Sequence, residues 1–244
     1  MLKRYLVSGA NRILKNTVGV ELVRYDSSNS AEHRLKLALD TFGINLIFDI
    51  GANDGEYGYL LYKSGYTGEL VSFEPMAAPY QKLQSLAARY RGWQVAPRCA
   101  VGETSGEIEI NVSKNSFSSS ILPMLKSHSD AAPQSVYLHK EKTPLKTLDE
   151  LAPQWLTPQK KLFLKIDTQG YEAHVLAGGP ETLRQAQGLY LEMSLVPLYE
   201  GQVLFDELLD RVRSYGFTLW SIEPEFADPR TGQLLQVNGV FFRQ

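Results

Sequence analysis

The sequence predicts an α/β fold built on a mostly parallel sheet. Short apolar runs at 46–50 (LIFDI), 162–166 (LFLKI) and 189–193 (LYLEM) suit strands buried on both faces. Amphipathic helical stripes alternate with the strand segments, the pattern of a parallel sheet with crossover helices. The last two strands follow the final helix with no helical pattern between them, so one late strand is expected to run antiparallel.

Taken in order, residues 1–45 read as an N-terminal helical cap. Leu2, Leu6, Ile13 and Leu14 fall loosely on one helical face, with Lys3, Arg4, Arg12 and Lys15 elsewhere. Such a helix at 1–16 suits either peripheral contact with an anionic membrane or, the reading favoured here, a cap on the domain or on a partner subunit. Asp26–Ser30 (DSSNS) is a polar loop that can also cap a helix, and Leu35, Ala38, Leu39 and Phe42 then recur at helical spacing. Residues 46–244 form the main domain. Leu70–Phe73 reads as a strand ending at Glu74-Pro75, and Tyr80, Leu83, Leu86, Ala87 and Tyr90 as a helical stripe. Trp93–Ala96 and Glu107–Val112 are further strands, the second alternating like an exposed one. Residues 113–161 are the least regular part, with a serine cluster and five prolines, and are expected to form a lid-like insertion or a plain surface excursion. Phe205, Leu208, Leu209, Val212 and Tyr215 mark an amphipathic helix closed by Gly216. Phe217–Ile222 and Val237–Phe242 are the last strands.

The chain has 244 residues, enough for a sizeable core. It carries 25 basic and 27 acidic residues, net −2, which gives no electrostatic case for a nucleic-acid partner. A hydrophobic fraction of 43% and a charged fraction of 21% argue against wholesale disorder. The single cysteine, Cys99, excludes a disulfide framework or a cysteine-built zinc cluster within the chain. No apolar run reaches the roughly 18 residues of a membrane span, and the expected location is cytoplasmic.

The strongest local signal is Asp49-Ile50-Gly51-Ala52-Asn53-Asp54-Gly55, directly after the first buried strand. In open α/β sheets ligands bind outside the carboxyl ends of the strands, where glycine lets a ligand approach the backbone. The spacing matches neither the G-x-G-x-x-G of dinucleotide enzymes nor a P-loop, and Asp49 suits a cationic group better than a phosphate. A tight turn without a ligand is the plainer alternative. The second signal is Glu74, at the end of the next strand and near the offset of about 20 residues seen for ribose-binding acids. Its carboxylate can accept hydrogen bonds from both hydroxyls of a ribose.

In order and spacing, FDIGANDG, VSFEP, CAVGETSGEIEI, LKIDTQGYEAHVLAGG and YLEMS resemble the FkbM family of S-adenosylmethionine-dependent methyltransferases, from about Leu46 to the C-terminus. The resemblance implies a class I methyltransferase-like, Rossmann-like three-layer sandwich with seven strands, the last antiparallel. It places Asp49, Gly51, Ala52, Asn53 and Gly55 at the methionine and ribose end of the cofactor, S-adenosylmethionine, whose product is S-adenosylhomocysteine. Glu74, beside Pro75, would bind the ribose diol, and Cys99, Ala100 and Val101 would lie beside the adenine. Asp167 would face the cofactor or substrate, with Gly170 and Glu172 following in the same block. Gln169 stands where many members carry an acid, and Gly58 where a small hydroxyl residue is common.

Methyl transfer asks for an oxygen or nitrogen nucleophile aligned with an already activated methyl group. Asp167, Glu172 and Glu192 are the candidate general bases; His174 reads better as a helix-surface residue. Asp167 and Glu192 as a metal pair are disfavoured, and no metal is expected. Ser118, Ser119 and Ser120 can hydrogen-bond a polyhydroxylated substrate, whereas Tyr57, Tyr59, Tyr62, Tyr66 and Tyr171 fit core packing better than sugar stacking. The leading expectation is O-methylation of a sugar, glycan or secondary metabolite. Alternatives are N-methylation, a non-catalytic nucleoside-binding module, and an NAD-dependent nucleotide-sugar enzyme, which the missing glycine fingerprint disfavours. Expected partners are the small-molecule or glycan acceptor, with a homo-oligomer left open.

Overall fold

A computed structural model describes residues 2–23 and 25–243, with side chains from residue 10 onward. It separates into two compact units, 1–41 and 42–244. The first holds α1 (Leu2–Val18) and nearly all of α2 (Ala31–Phe42). Ser30 starts α2 as the sequence suggests, its hydroxyl accepting the His33 amide at 3.1 Å. Several side chains of the proposed membrane face at 1–16 lie outside the described residues. Among the described residues, no helix is long and apolar enough to cross a membrane.

The second unit runs β1 (Leu46–Ile50), α3 (Glu56–Lys63), β2 (Glu69–Phe73), α4 (Ala77–Ala87), β3 (Trp93–Val95), β4 (Ala100–Val101) and β5 (Gly106–Ser113). It continues with α5 (Lys126–Ala131), β6 (Tyr137–Lys146), α6 (Leu148–Leu151), β7 (Leu162–Ile166), α7 (Glu172–Ala177) and α8 (Pro180–Gln185). β8 (Ala186–Ser194), α9 (Phe205–Ser214), β9 (Thr218–Ala227) and β10 (Leu234–Phe242) complete it. Seven strands form one sheet in the order β3-β2-β1-β7-β8-β10-β9. β10 runs antiparallel to both its neighbours, and the other main-sheet pairs are parallel. This is the class I methyltransferase-like arrangement that the sequence led us to expect.

Every residue of β1 and β7 is buried. Full burial on both faces requires helices above and below, hence three layers, and explains why these strands read as continuous apolar runs. Phe48, Leu162, Leu164 and Ile166 are fully or almost fully enclosed, each contributing about 1.5–3 kcal/mol of apolar burial. The chain leaves β1 toward β2 on one side and reaches β7 on the other. That reversal opens a crevice at the carboxyl ends of β1 and β7.

The stretch 113–161 has more structure than its composition suggests. β6 pairs antiparallel with β5 and parallel with β4 in a second, three-stranded sheet. Its sequence, YLHKEKTPLK, is largely solvent-facing, so charges hide the strand alternation, and Pro144 argues against a strand. Lys140 and Lys142 lie 3.3 Å from Glu109 and Glu107 across the pair, in exposed ion pairs of little energetic weight.

β9 carries one irregularity that matters below. Phe226 pairs with Gln236 and Pro224 with Val237, so Glu225 is the extra residue of a β-bulge.

Candidate functional site

A cleft of about 800 Å³, measured up to its open mouth, lies at the carboxyl ends of β1, β2 and β7. The turn after β1 forms one wall. The amides of Gly51 and Ala52 both donate to the Phe73 carbonyl at 3.1 Å, tying the turn to the end of β2. Gly51 has φ 79°, and a Cβ there would lie 1.9 Å from the Asp167 carbonyl oxygen. Only glycine permits the two strand ends to approach so closely.

Glu74 closes the same wall from β2. Its two carboxylate oxygens accept the amides of Asn53 and Met76, each at 2.8 Å. Burial pushes its pKa up to about 7; nearby Asp49 adds to the rise, and the two amides oppose it. Asn53 has a left-handed φ of 48°, and its side-chain carbonyl accepts the Ser116 hydroxyl at 3.1 Å. This bond fastens the turn at 116–118 to the glycine loop.

The opposite wall is a hydrogen-bonded cluster. Lys165 on β7 is 6% exposed at its side chain and lies 3.1 Å from Asp49 and 3.4 Å from Asp167. It also donates to the Gly51 carbonyl at 3.3 Å. Burial alone lowers the pKa of a lysine, but Asp49 and Asp167 outweigh it and hold the ammonium charged. Gln169 has φ 56° and donates from one nitrogen to Asp167 at 3.0 Å and to the two oxygens of Glu192 at 3.0 and 2.9 Å. Its amide oxygen accepts the Tyr199 hydroxyl at 2.8 Å, and its backbone oxygen accepts the Ser120 hydroxyl at 2.6 Å. Burial first, then Asp167, raises the pKa of Glu192 well above the ordinary carboxylate range.

The expected site residues divide clearly. Gly51, Asn53, Glu74, Pro75, Cys99, Ala100, Val101, Ser119, Ser120, Asp167 and Glu192 line the cleft. Asp49, Ala52, Gly55, Ser118 and Glu172 do not. Asp49 lies fully buried as the partner of Lys165. Ser118 turns inward to share a 2.8 Å hydrogen bond with Ser135. Glu172 is buried and accepts the amides of Thr168 and Gly170 and the Thr168 hydroxyl, so it braces the loop instead of facing a ligand. None of the five tyrosines lines the cleft, and Tyr62 stacks on Tyr90 with ring centroids 5.0 Å apart. His174 is partly exposed and pairs with Glu103 at 3.2 Å. Burial raises the Cys99 thiol to about 11, which leaves it protonated and inert at neutral pH. A Cβ at Gly58 would come within 2.4 Å of Trp93, so the hydroxyl residue common in the resembling family has no room here.

Sequence reading missed Lys165, Phe117 and Glu225. A lone lysine inside the buried run LFLKI was the available signal for the first. Glu225 is exposed at the mouth, and Asn238 on β10 donates to one of its oxygens at 2.6 Å. Among the described residues that line the cleft, four are carboxylates and none is lysine, arginine or histidine. The charged Lys165 behind this wall offsets part of that negative charge through its pair with Asp167.

A family model described as the methyltransferase FkbM domain matches residues 49–219. The 2-O-methyltransferase NoeI of Sinorhizobium fredii (strain NBRC 101917 / NGR234) is 26% identical over 223 residues, spanning 87% of this chain and 90% of that protein. Among solved structures, methyltransferase FkbM from Methylobacillus flagellatus KT aligns with TM-score 0.49 and 15% identity over 80% of this chain. The chain spans only 43% of that protein's length. The 1,6-didemethyltoxoflavin-N1-methyltransferase of Burkholderia thailandensis, solved with 1,6-didemethyltoxoflavin and S-adenosylhomocysteine, aligns with TM-score 0.44 and 14% identity over 99% of this chain and 89% of that one.

Proposed function

The chain belongs to the FkbM methyltransferase family, and from that premise we propose that it moves a methyl group from S-adenosylmethionine to a hydroxyl of a sugar, glycan or secondary metabolite. The observation that carries the reading is the polarity of the cleft. One end offers Glu74 beside the apolar walls of Met76, Cys99, Ala100 and Val101. The other end gathers Asp167 and Glu192 around the Gln169 amide.

This donor set fits the cofactor. Glu74, fixed through both oxygens by backbone amides, keeps a free lone-pair direction on each for a ribose diol. The small apolar walls admit a flat base. Asp167, open to the cleft, offers a carboxylate to a cationic sulfur in a poorly solvated site. When bound, S-adenosylmethionine supplies a methyl group on a positively charged sulfur, which departs as a neutral thioether.

Asp167 is 34% exposed at its side chain, open to the cleft, and Gln169 and Lys165 hold its two oxygens. It is the carboxylate we assign to accept the proton as the acceptor oxygen bonds to the methyl carbon. Glu192 acts beside it by fixing Gln169. Glu172 supports the loop that carries both.

Calorimetric titration with S-adenosylhomocysteine, run beside NAD, tests the cofactor assignment. Micromolar affinity for the first alone, about −8 kcal/mol, is expected, with marked weakening in Glu74→Gln. Absence of binding to folded wild-type protein defeats the reading and returns attention to a non-catalytic binding module.

A further inference from the structure

Within the first unit, the segment that follows α1 folds back along it. The Asn11 side chain donates to the Leu22 carbonyl at 2.9 Å and accepts the Leu22 amide at 2.8 Å. The Val20 amide donates to the Leu14 carbonyl at 3.4 Å, and Lys15 pairs with Glu21 at 2.9 Å. Residues 11–15 and 20–22 therefore lie side by side. What they present is apolar. Ile13, Val18, Val20, Leu22, Val23 and Tyr25 are each half or more exposed, six of the fifteen large apolar side chains exposed among the described residues. Apolar residues scattered singly over a surface need no explanation, but a group this dense marks an interaction site.

Charge says what covers it. α1 carries Lys3, Arg4, Arg12 and Lys15 and no acidic residue, although the whole chain is net −2. Arg12 and Lys15 are exposed on either side of Ile13 in the sequence. Glu21 is the one acid between residues 1 and 25, and it is the partner of Lys15. A covering surface has to be both apolar and negative. Pairing this face with its own copy would set basic side chains against basic side chains. An anionic bilayer meets both needs: its headgroups attract lysine and arginine, and its acyl boundary takes up aliphatic side chains. The exposures thus favour surface binding over the cap expected from the sequence.

We propose that residues 11–25, together with the charges of α1, form a docking surface for an anionic phospholipid bilayer, on which the chain sits peripherally. The proposal does not depend on the methyl-transfer reading.

Flotation of the full chain with extruded vesicles tests it. One set is phosphatidylcholine alone, and the other an equimolar mixture of phosphatidylcholine and phosphatidylglycerol. The chain should float with the mixture and not with phosphatidylcholine, and raising the salt should release it. Lys3→Gln, Arg4→Gln and Arg12→Gln together should weaken binding by about tenfold or more. Ile13→Ser, Val20→Ser and Val23→Ser together should weaken it by about tenfold and leave the unfolding temperature in place, because exposed side chains contribute little to the fold. Equal flotation with both vesicles, none with the mixture, or undiminished binding in either set of variants overturns the proposal. So does a lipid-free dimer in sedimentation equilibrium that the three serine substitutions dissociate, since a second copy then covers this face. No methyl donor enters the experiment, so its failure leaves the methyl-transfer reading untouched.

Discussion

One side-chain nitrogen of Gln169 lies 3.0 and 2.9 Å from the two oxygens of Glu192 and also donates to Asp167. A neutral amide thus separates two carboxylates on neighbouring strand ends. Replacing it with a carboxylate should remove the donors and add a third negative charge. Gln169→Glu is expected to lose about 2–4 kcal/mol at pH 8 and less at pH 5.5, because burial already favours the protonated form of Glu192. Denaturant titrations at the two pH values check this; equal losses at both would contradict it.

Removing Lys165 should be more damaging than removing its pair. Lys165→Met leaves Asp49 buried without a counter-charge, held only by the Ser72 hydroxyl at 3.3 Å, an effect of about 3–5 kcal/mol. The double variant Lys165→Met, Asp49→Asn should recover a good part of that, because no bare charge remains at the fully buried position. A double-mutant cycle in thermal or urea unfolding gives the answer, and strictly additive losses would refute the coupling.

If Glu74 holds the ribose as proposed, donor binding should depend on pH. Its pKa in the free protein is lifted to about 7, chiefly by burial, and the ionised form is the one that offers acceptors to a diol. Affinity for S-adenosylhomocysteine should rise from pH 6 to pH 8, by about tenfold, and level off above. In Glu74→Gln the affinity should be lower and flat across that range. Stability of the ligand-free protein moves the other way. A carboxyl whose folded pKa is raised contributes stability that is complete below its unfolded value near 4.5 and is lost as pH rises through about 7. Glu172, also lifted to about 7 by burial, adds to the same trend. Calorimetric titrations and unfolding at pH 5, 6, 7 and 8 measure both slopes.

Gly51→Ala should disable the site. The new methyl group would overlap the Asp167 carbonyl, and φ 79° is itself unfavourable for alanine. The strand ends must part, with a loss of more than about 2 kcal/mol and loss of donor affinity. Gly201→Ala, also at positive φ but with open space around its Cβ, should lose only about 1 kcal/mol and keep donor binding. Comparable behaviour of the two variants would show that the Asp167 approach is unimportant.

The legible parts of the molecule were those written locally. Leu46–Ile50 and Leu162–Ile166 announce buried strands by unbroken apolar character, and Asp49, Glu74 and Asp167 stand where those strands or their neighbour end. β6 was obscured because its three lysines face solvent and its proline breaks the usual signal. Ser118 could not be told from Ser119 and Ser120, since one short turn decides which hydroxyl points inward. Glu225 was beyond local reading, because its aim depends on the register between β9 and a strand that comes later in the chain.

The bulge in β9 divides the cleft's construction between centre and margin. The donor end hangs on β1, β2 and β7, where a substitution disturbs the packed heart of the sheet. Glu225 sits on the outermost strand, exposed, and is held by one neighbour. Glu225 can be recharged without reopening the core, whereas its neighbour Phe226 packs against the buried cluster of Leu198, Tyr199 and Leu235. The fold thus separates what must stay constant from what is free to vary, with Glu225 on the edge strand as the freer part of the cleft lining.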